Sequence, residues 1–209
     1  MSRMSLHVLR PISEEDLDDL VELHMDAFKE HLNILLGKVY IRHFLKWFSD
    51  GEDRISLVAL VNDTVVGYVV GAKWGYQSEI NRDLFTYALR GLFRNPIILL
   101  KSRVRKNALS RLKTLLKINR SIEQTKTLYK GEILSLVGIG VKEDAKGLGI
   151  SSGLMREFVQ QGRKKNYDYA RLSVYSNNYR ARKFYENHNW VLEEPDEGLA
   201  VGYYYDLRS

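Results

Sequence analysis

The stretch from Ile133 to Val159 constrains the fold of this chain more than any other. Ile133 to Val141 reads as a strand, and Ile150, Leu154, Met155, Phe158 and Val159 then recur at the spacing of one helical face. Between them runs Val141-Lys142-Glu143-Asp144-Ala145-Lys146-Gly147-Leu148-Gly149-Ile150-Ser151-Ser152. Gly147 and Gly149 let the backbone approach a ligand closely, and a helix opening at Ile150 presents unpaired amides and the positive end of its dipole. No acid stands in the first turn, Ser151 and Ser152 are small, and Lys146 adds a cation, so the turn has the makings of an anion site. Taken alone, Gly147-x-Gly149 reads more simply as a tight strand-to-helix turn. It is neither a Walker A loop, lacking GxxxxGK[ST], nor a dinucleotide fingerprint, lacking the third glycine and the downstream acid.

The rest of the chain supplies a layered α/β order. His7 to Pro11 reads as a strand. Ser13 followed by Glu14, Glu15 and Asp16 reads as a helix start, with Leu17, Leu20, Val21, His24 and Phe28 on one face of that helix. A second helix is expected over Val39 to Phe48. Ile55 to Val61 and Val65 to Trp74 flank Asn62-Asp63, a pair that tolerates the left-handed backbone region, and this predicts a hairpin. Ala170 to Tyr175 is read as a strand, Asn178 to His188 as a helix, and Trp190 to Leu192 and Ala200 to Tyr205 as closing strands. The expectation is one domain over 1–209, with an insertion at 84–130 between the third and fourth strands.

The loop and the following helix resemble two motifs of one family. Lys146-Gly147-Leu148-Gly149-Ile150-Ser151 resembles motif A of the GNAT superfamily of acyl-CoA N-acyltransferases, with Lys for Arg/Gln and Ser for Gly/Ala. Leu172-Ser173-Val174-Tyr175 followed by Asn177-Asn178-Tyr179-Arg180-Ala181-Arg182-Lys183-Phe184-Tyr185 resembles motif B. The resemblance implies a GNAT-type fold: a mixed, mostly antiparallel sheet flanked by helices, with its fourth and fifth strands splayed to admit the pantetheine arm. It implies acetyl-CoA as co-substrate. The pyrophosphate falls to Lys146, Gly147, Leu148, Gly149, Ile150 and Ser151, and the pantetheine arm to the main chain of Ile139 and Val141, with Asn178 and Ala181 on the motif B helix.

The same resemblance makes Tyr185 the candidate acid for the departing thiolate, a role suited to a positioned phenol. The residue's own pattern leaves a second reading, a core tyrosine on the helix face of Ala181, Phe184 and His188. The position that carries a general-base Glu in some members of the family is Ser135 here. Glu132 stands as the substitute, with Asp26, Glu30 and His31 as further candidates. Where the family closes this helix with Gly, the chain has Asn189, which also tolerates the left-handed backbone.

Composition sets the remaining bounds. There is no cysteine, which excludes a disulfide framework, a thiolate nucleophile and thiolate metal sites. The five histidines lack ligand spacing, so no metal is expected. With no signal-peptide pattern and no run of 18 apolar residues, a cytoplasmic location is the expectation. From Leu84 to Lys130 there are twelve Lys or Arg and one acid, so this segment carries about +11 of a chain whose net charge is +6.

Two helices meeting near Asn95-Pro96 fit the apolar spacing of this segment. It reads as a solvated helix pair, as a cationic wall for a phosphorylated acceptor such as a nucleotide-linked amino sugar, or as a peripheral membrane contact through 84–118. Nucleic acid fits least, for want of a recognisable module. The function expected is transfer of an acetyl group from acetyl-CoA to a primary amine of a small molecule, in a ternary complex. The alternatives are a non-catalytic acyl-CoA-binding or regulatory module and a protein or peptide amine as acceptor.

Overall fold

The computed structural model describes residues 7–29, 31–95, 130–193 and 199–208. Among them seven strands form one sheet: β1 (Val8–Pro11), β2 (Arg54–Val61), β3 (Thr64–Lys73), β4 (Ile133–Val141), β5 (Tyr169–Tyr175), β6 (Val191–Leu192) and β7 (Ala200–Asp206). Their order across the sheet is β1-β2-β3-β4-β5-β7-β6. Every pairing is antiparallel except that of β4 with β5. Asn62 and Asp63, at φ 49° and 58°, make the β2–β3 turn in the left-handed region, as the sequence predicts.

Helices cover both faces, and the alternation of the strands explains how. Val58, Tyr68 and Val70 face α1 (Leu17–Ala27) and α2 (Lys38–Ser49). Leu57, Val69, Leu134, Leu136, Leu172 and Val174 face the opposite layer. There the apolar stripe of α5 (Ile150–Lys164) is buried as predicted, and Tyr185 of α6 (Tyr179–Glu186) joins it. After β3 the chain forms α3 (Gln77–Asp83) and α4 (Phe85–Arg94). The second helix expected in the basic insertion, and most of that segment's charge, fall in 96–129, outside the described residues.

The start of the first helix departs from expectation. Ser13 caps a single 3₁₀ turn, Glu14–Asp16, and the α-helix begins only at Leu17. The cause is local. The nearly buried Asp16 carboxylate turns back to accept from the Ser13 amide and hydroxyl, both at 2.8 Å, and from Arg10 at 2.6 and 2.7 Å. Burial pushes this carboxyl's pKa up, but the hydrogen bonds from Arg10 and Ser13 outweigh it, and the net direction is down. A depressed carboxylate pKa stabilises the fold at neutral pH, and that stability is lost as pH falls through the folded-state value. Asp16→Ala is therefore expected to destabilise by about 1–3 kcal/mol at neutral pH. Urea titrations should show the gap between wild type and variant closing below about pH 4.

One irregularity positions everything that follows. β4 pairs with β5 at only three positions, ending with Ser135 opposite Arg171, while β4 runs on to Val141 and β5 to Tyr175. On its other edge β4 stays paired with β3, except that Val137 is extra in the register between Gly71–Leu136 and Val70–Gly138. Such a bulge bends a strand and increases its twist. Past Ser135 the two strands diverge.

Candidate functional site

Divergence leaves two main-chain edges facing one another with no strand between them. β4 from Leu136 to Val141 is satisfied only on its β3 side, and β5 from Leu172 to Tyr175 only on its β7 side. Backbone donors and acceptors need partners. An extended ligand bearing amides can supply them by lying in the gap as a strand would. Six residues of β4 offer an edge about 20 Å long. The gap opens into a cavity of about 1550 Å³ bounded by both edges, the C-terminal half of α1, the loop after β4 and the N-terminal part of α6.

At the end of β4 the chain makes a 3₁₀ turn, Glu143–Ala145, and then passes through Gly147 (φ 84°) and Gly149 (φ 77°) into α5. Both glycines take a conformation that side chains disfavour, and a Cβ on either would meet nothing within 4 Å. Glycine is required there by backbone conformation alone, and the space it leaves is open. Gly149 is the N-cap of α5, whose first turn holds no acid, so the free first-turn amides are able to accept an anion.

The predicted site residues fall into three groups. The cavity wall includes Ile139, Val141, Lys146, Ser151, Asn178, Ala181 and Tyr185. Gly147, Leu148, Gly149 and Ile150 lie in the turn, with backbone rather than side chain available to a ligand: Leu148 is exposed, and the buried Ile150 side chain anchors α5 in the core. Glu132 is not brought to the cavity. It stands before the first residue of β4, at the end of the strand away from the divergence, with its carboxylate 2.6 Å from Lys73 Nζ. The Lys146 ammonium is not a free cation either, because it is paired with Glu143, whose carboxyl it holds below the usual range.

Asn178 caps α6 by accepting from the Ala181 amide at 3.1 Å, so that motif is built by its own sequence. Asn189, at φ 62°, ends the following turn and lets Trp190 return to the core beside Tyr185. Tyr185 is 8% exposed, among Phe184, Trp190 and Tyr203. Burial pushes its phenol up to about 12, so it stays protonated at any physiological pH.

Sequence reasoning gives no role to Ser173 and Tyr175, yet both border the cavity. Alternation carries the signal: with Leu172 and Val174 in the core, their neighbours must face the other way. Asp26 and His31 also reach the cavity, whereas Glu30 lies outside the described residues. Asp26 is ion-paired with Lys29 at 2.9 Å.

The sequence model of the acetyltransferase (GNAT) family matches residues 113–190, a range that includes β4, the glycine turn, α5, β5 and α6. Among solved structures, the Drosophila melanogaster polyamine N-acetyltransferase, which forms N-acetylagmatine, is 15% identical. The match covers 96% of this chain and 99% of that one, at a TM-score of 0.62. PaiA N-acetyltransferase from Thermoplasma acidophilum, solved with coenzyme A, is 16% identical over 99% of both chains, at 0.55. The ribosomal-protein-S18-alanine N-acetyltransferase of Escherichia coli is 10% identical over 95% of this chain and 91% of that one, also at 0.55. No curated protein matches the sequence. The diverging strands, the glycine turn into α5, the capped α6 and the family match over the same elements agree: residues 113–190 match the GNAT acetyltransferase family, on a fold that solved GNAT acetyltransferases share.

Proposed function

We propose that the protein transfers an acetyl group from acetyl-CoA to a primary amine of a small molecule, directly and without an acyl-enzyme. The carrying observation is the unpaired β4–β5 edge continuous with the α5 N-terminus, since one ligand that is both amide-bearing and polyanionic fits both. Acetyl-CoA supplies an activated thioester. The first-turn amides of α5 and the backbone of residues 146–151 hold the pyrophosphate, and the free edge at Ile139 and Val141 holds the pantetheine amides. Tyr185 donates a hydrogen bond to the departing sulfur. A thiol of ordinary pKa, about 8.5, holds its proton less tightly than a phenol near 12, so full ground-state transfer from Tyr185 runs uphill by about 5 kcal/mol. Hydrogen-bond donation to the developing thiolate carries no such penalty.

A small amine is the favoured acceptor because polyamine and agmatine enzymes have this fold, although a ribosomal-protein acetyltransferase has it too. The test is acetyl-CoA turnover against a panel of polyamines, agmatine, a nucleotide-linked amino sugar and an N-terminal peptide, read by product mass. One or more small amines should be acetylated. Tight acetyl-CoA binding with no product from any member would favour a non-catalytic binding module. Membrane contact through 84–118 rests on residues largely outside those described, and no helix among the described residues is long and apolar enough to cross a membrane. A cytoplasmic location remains part of the proposal.

The glycine turn yields a separate expectation. Gly149→Val places a β-branched side chain at φ 77° with nothing to clash against, so any effect comes from backbone strain of about 1–2 kcal/mol. Relieving that strain reshapes the amides at the α5 N-terminus, and acetyl-CoA affinity measured by calorimetry should fall about tenfold or more. Unchanged affinity would remove the pyrophosphate from this turn.

A further inference from the structure

Packing settles which side of α4 is free. Gly91 is buried against the 3₁₀ turn Leu32–Leu36, so closely that a Cβ there would come within 2.4 Å of the Leu36 carbonyl oxygen. On the same side of the helix the Tyr87 ring stacks on His43 of α2 at 3.6 Å, and Leu84, just before the first turn, is buried. Only glycine fits at the Leu36 contact, which fixes the rotation of α4 about its axis. Phe85, Leu89 and Phe93 then recur every fourth residue on the opposite face, over about 12 Å. They are 59%, 37% and 82% exposed.

Single exposed hydrophobic residues are ordinary, but three in register on one helix face ask for a partner. The charge around them has one sign. From Leu84 to Asn95 there is no acid, and Arg90 and Arg94, both exposed, follow the stripe along one flank. The sequence beyond the helix continues in the same sense, since residues 84–130 together carry about +11. A partner for this face must therefore offer apolar depth for one leucine and two phenyl rings, with negative charge beside it. A lipid surface with anionic headgroups supplies both at once: the acyl boundary takes the rings, and headgroup phosphates take the guanidinium groups.

We infer that α4 is a peripheral docking face for an anionic lipid surface. The helix lies in the plane of that surface, with Phe85, Leu89 and Phe93 at the headgroup–acyl boundary and Arg90 and Arg94 at the phosphates. The inference stands apart from the acetyl-transfer reading and does not need it. Ten helical residues give weak, reversible binding that depends on lipid charge and on salt. The turn against which α4 packs also carries Ile34, part of the cavity wall. Docking through α4 therefore holds that wall near the lipid surface and favours acceptors concentrated there.

The experiment uses the full chain with vesicles of phosphatidylcholine alone and of phosphatidylcholine and phosphatidylglycerol in equal parts. Flotation should recover wild type with the anionic vesicles about tenfold better than with the neutral ones, and added salt should weaken the binding. Phe93→Trp should shift its emission to the blue on anionic vesicles, against a constant background from Trp47, Trp74 and Trp190, which are buried or half-buried elsewhere. Phe85→Ser, Leu89→Ser and Phe93→Ser combined should cut binding about tenfold or more, with the thermal midpoint unchanged. No flotation with either vesicle would overturn the assignment, as would a triple variant that floats like wild type or an unshifted Phe93→Trp emission on bound protein. A midpoint that falls in the triple variant as far as a core substitution takes it would mean that the face is covered within the chain. A concentration-dependent dimer lost in that variant would give the face to a second copy, and either result would also overturn the lipid assignment.

Discussion

Tyr185→Phe is expected to lower kcat by about 10²–10³-fold while leaving acetyl-CoA affinity and stability nearly unchanged. The substitution removes one oxygen from a cavity-lining ring and keeps the ring's packing against Phe184, Trp190 and Tyr203. That hydroxyl makes no hydrogen bond with any described residue, so its loss strands no protein partner. What disappears is a hydroxyl on a cavity-lining side chain, and on the proposed reading its value lies in the transition state, where charge builds on sulfur. The pH dependence is equally specific. A phenol held near 12 by burial stays protonated across the working range, so Tyr185 contributes no basic limb to the rate profile below about pH 11. Stopped-flow or steady-state release of the CoA thiol, with calorimetry for affinity, separates these effects.

Phe158→Ala is expected to destabilise the protein by about 3–5 kcal/mol. Phe158 is fully buried on α5, within the cluster that joins that helix to β2, β3 and β4. Its ring lies against Gly71, where a Cβ would come within 2.5 Å of Cε2, so the ring fills a space that no neighbouring side chain can reach. Truncation leaves a void between a helix and a sheet that are both tied to other elements, and collapse is limited. For a chain of this length the midpoint should drop by about 6–20 °C. On the proposed binding of the pyrophosphate at the start of α5, acetyl-CoA should restore part of that loss, as any ligand specific to the native state does.

Some of this architecture was legible residue by residue. Asn62-Asp63 and Asn189 each encode a left-handed backbone state, and each holds it in the structure. The buried stripe of α5 follows from its period. The motif B helix likewise places Ala181, Phe184 and Tyr185 on one buried or half-buried face. These are short-range features, decided within a few residues.

What could not be read depends on partners distant in sequence. Glu132 looks close to the site along the chain, but a strand advances about 3.3 Å per residue, and nine residues carry Val141 to the far end. Ion pairing removes Lys146 as a free cation, because the 3₁₀ turn Glu143–Ala145, which the glycine pattern does not announce, brings Lys146 back to the Glu143 carboxylate three residues before it. The β4–β5 divergence was available only through resemblance, since the end of the β5 pairing at Ser135 and the extra residue at Val137 opposite β3 are set between strands and not within one. His31 acquires its position from a turn, Leu32–Leu36, whose sequence has no clear period, and from Tyr175 on a strand more than a hundred residues later.

The central claim is that one ligand spans the diverging strands and the start of α5. A crystal structure of the protein with CoA tests it most directly. The pantetheine amides should pair with the main chain of β4 around Ile139 and Val141, and the pyrophosphate should sit on the amides of residues 147–151. CoA bound elsewhere, or a β4–β5 gap that closes without admitting it, would contradict the account.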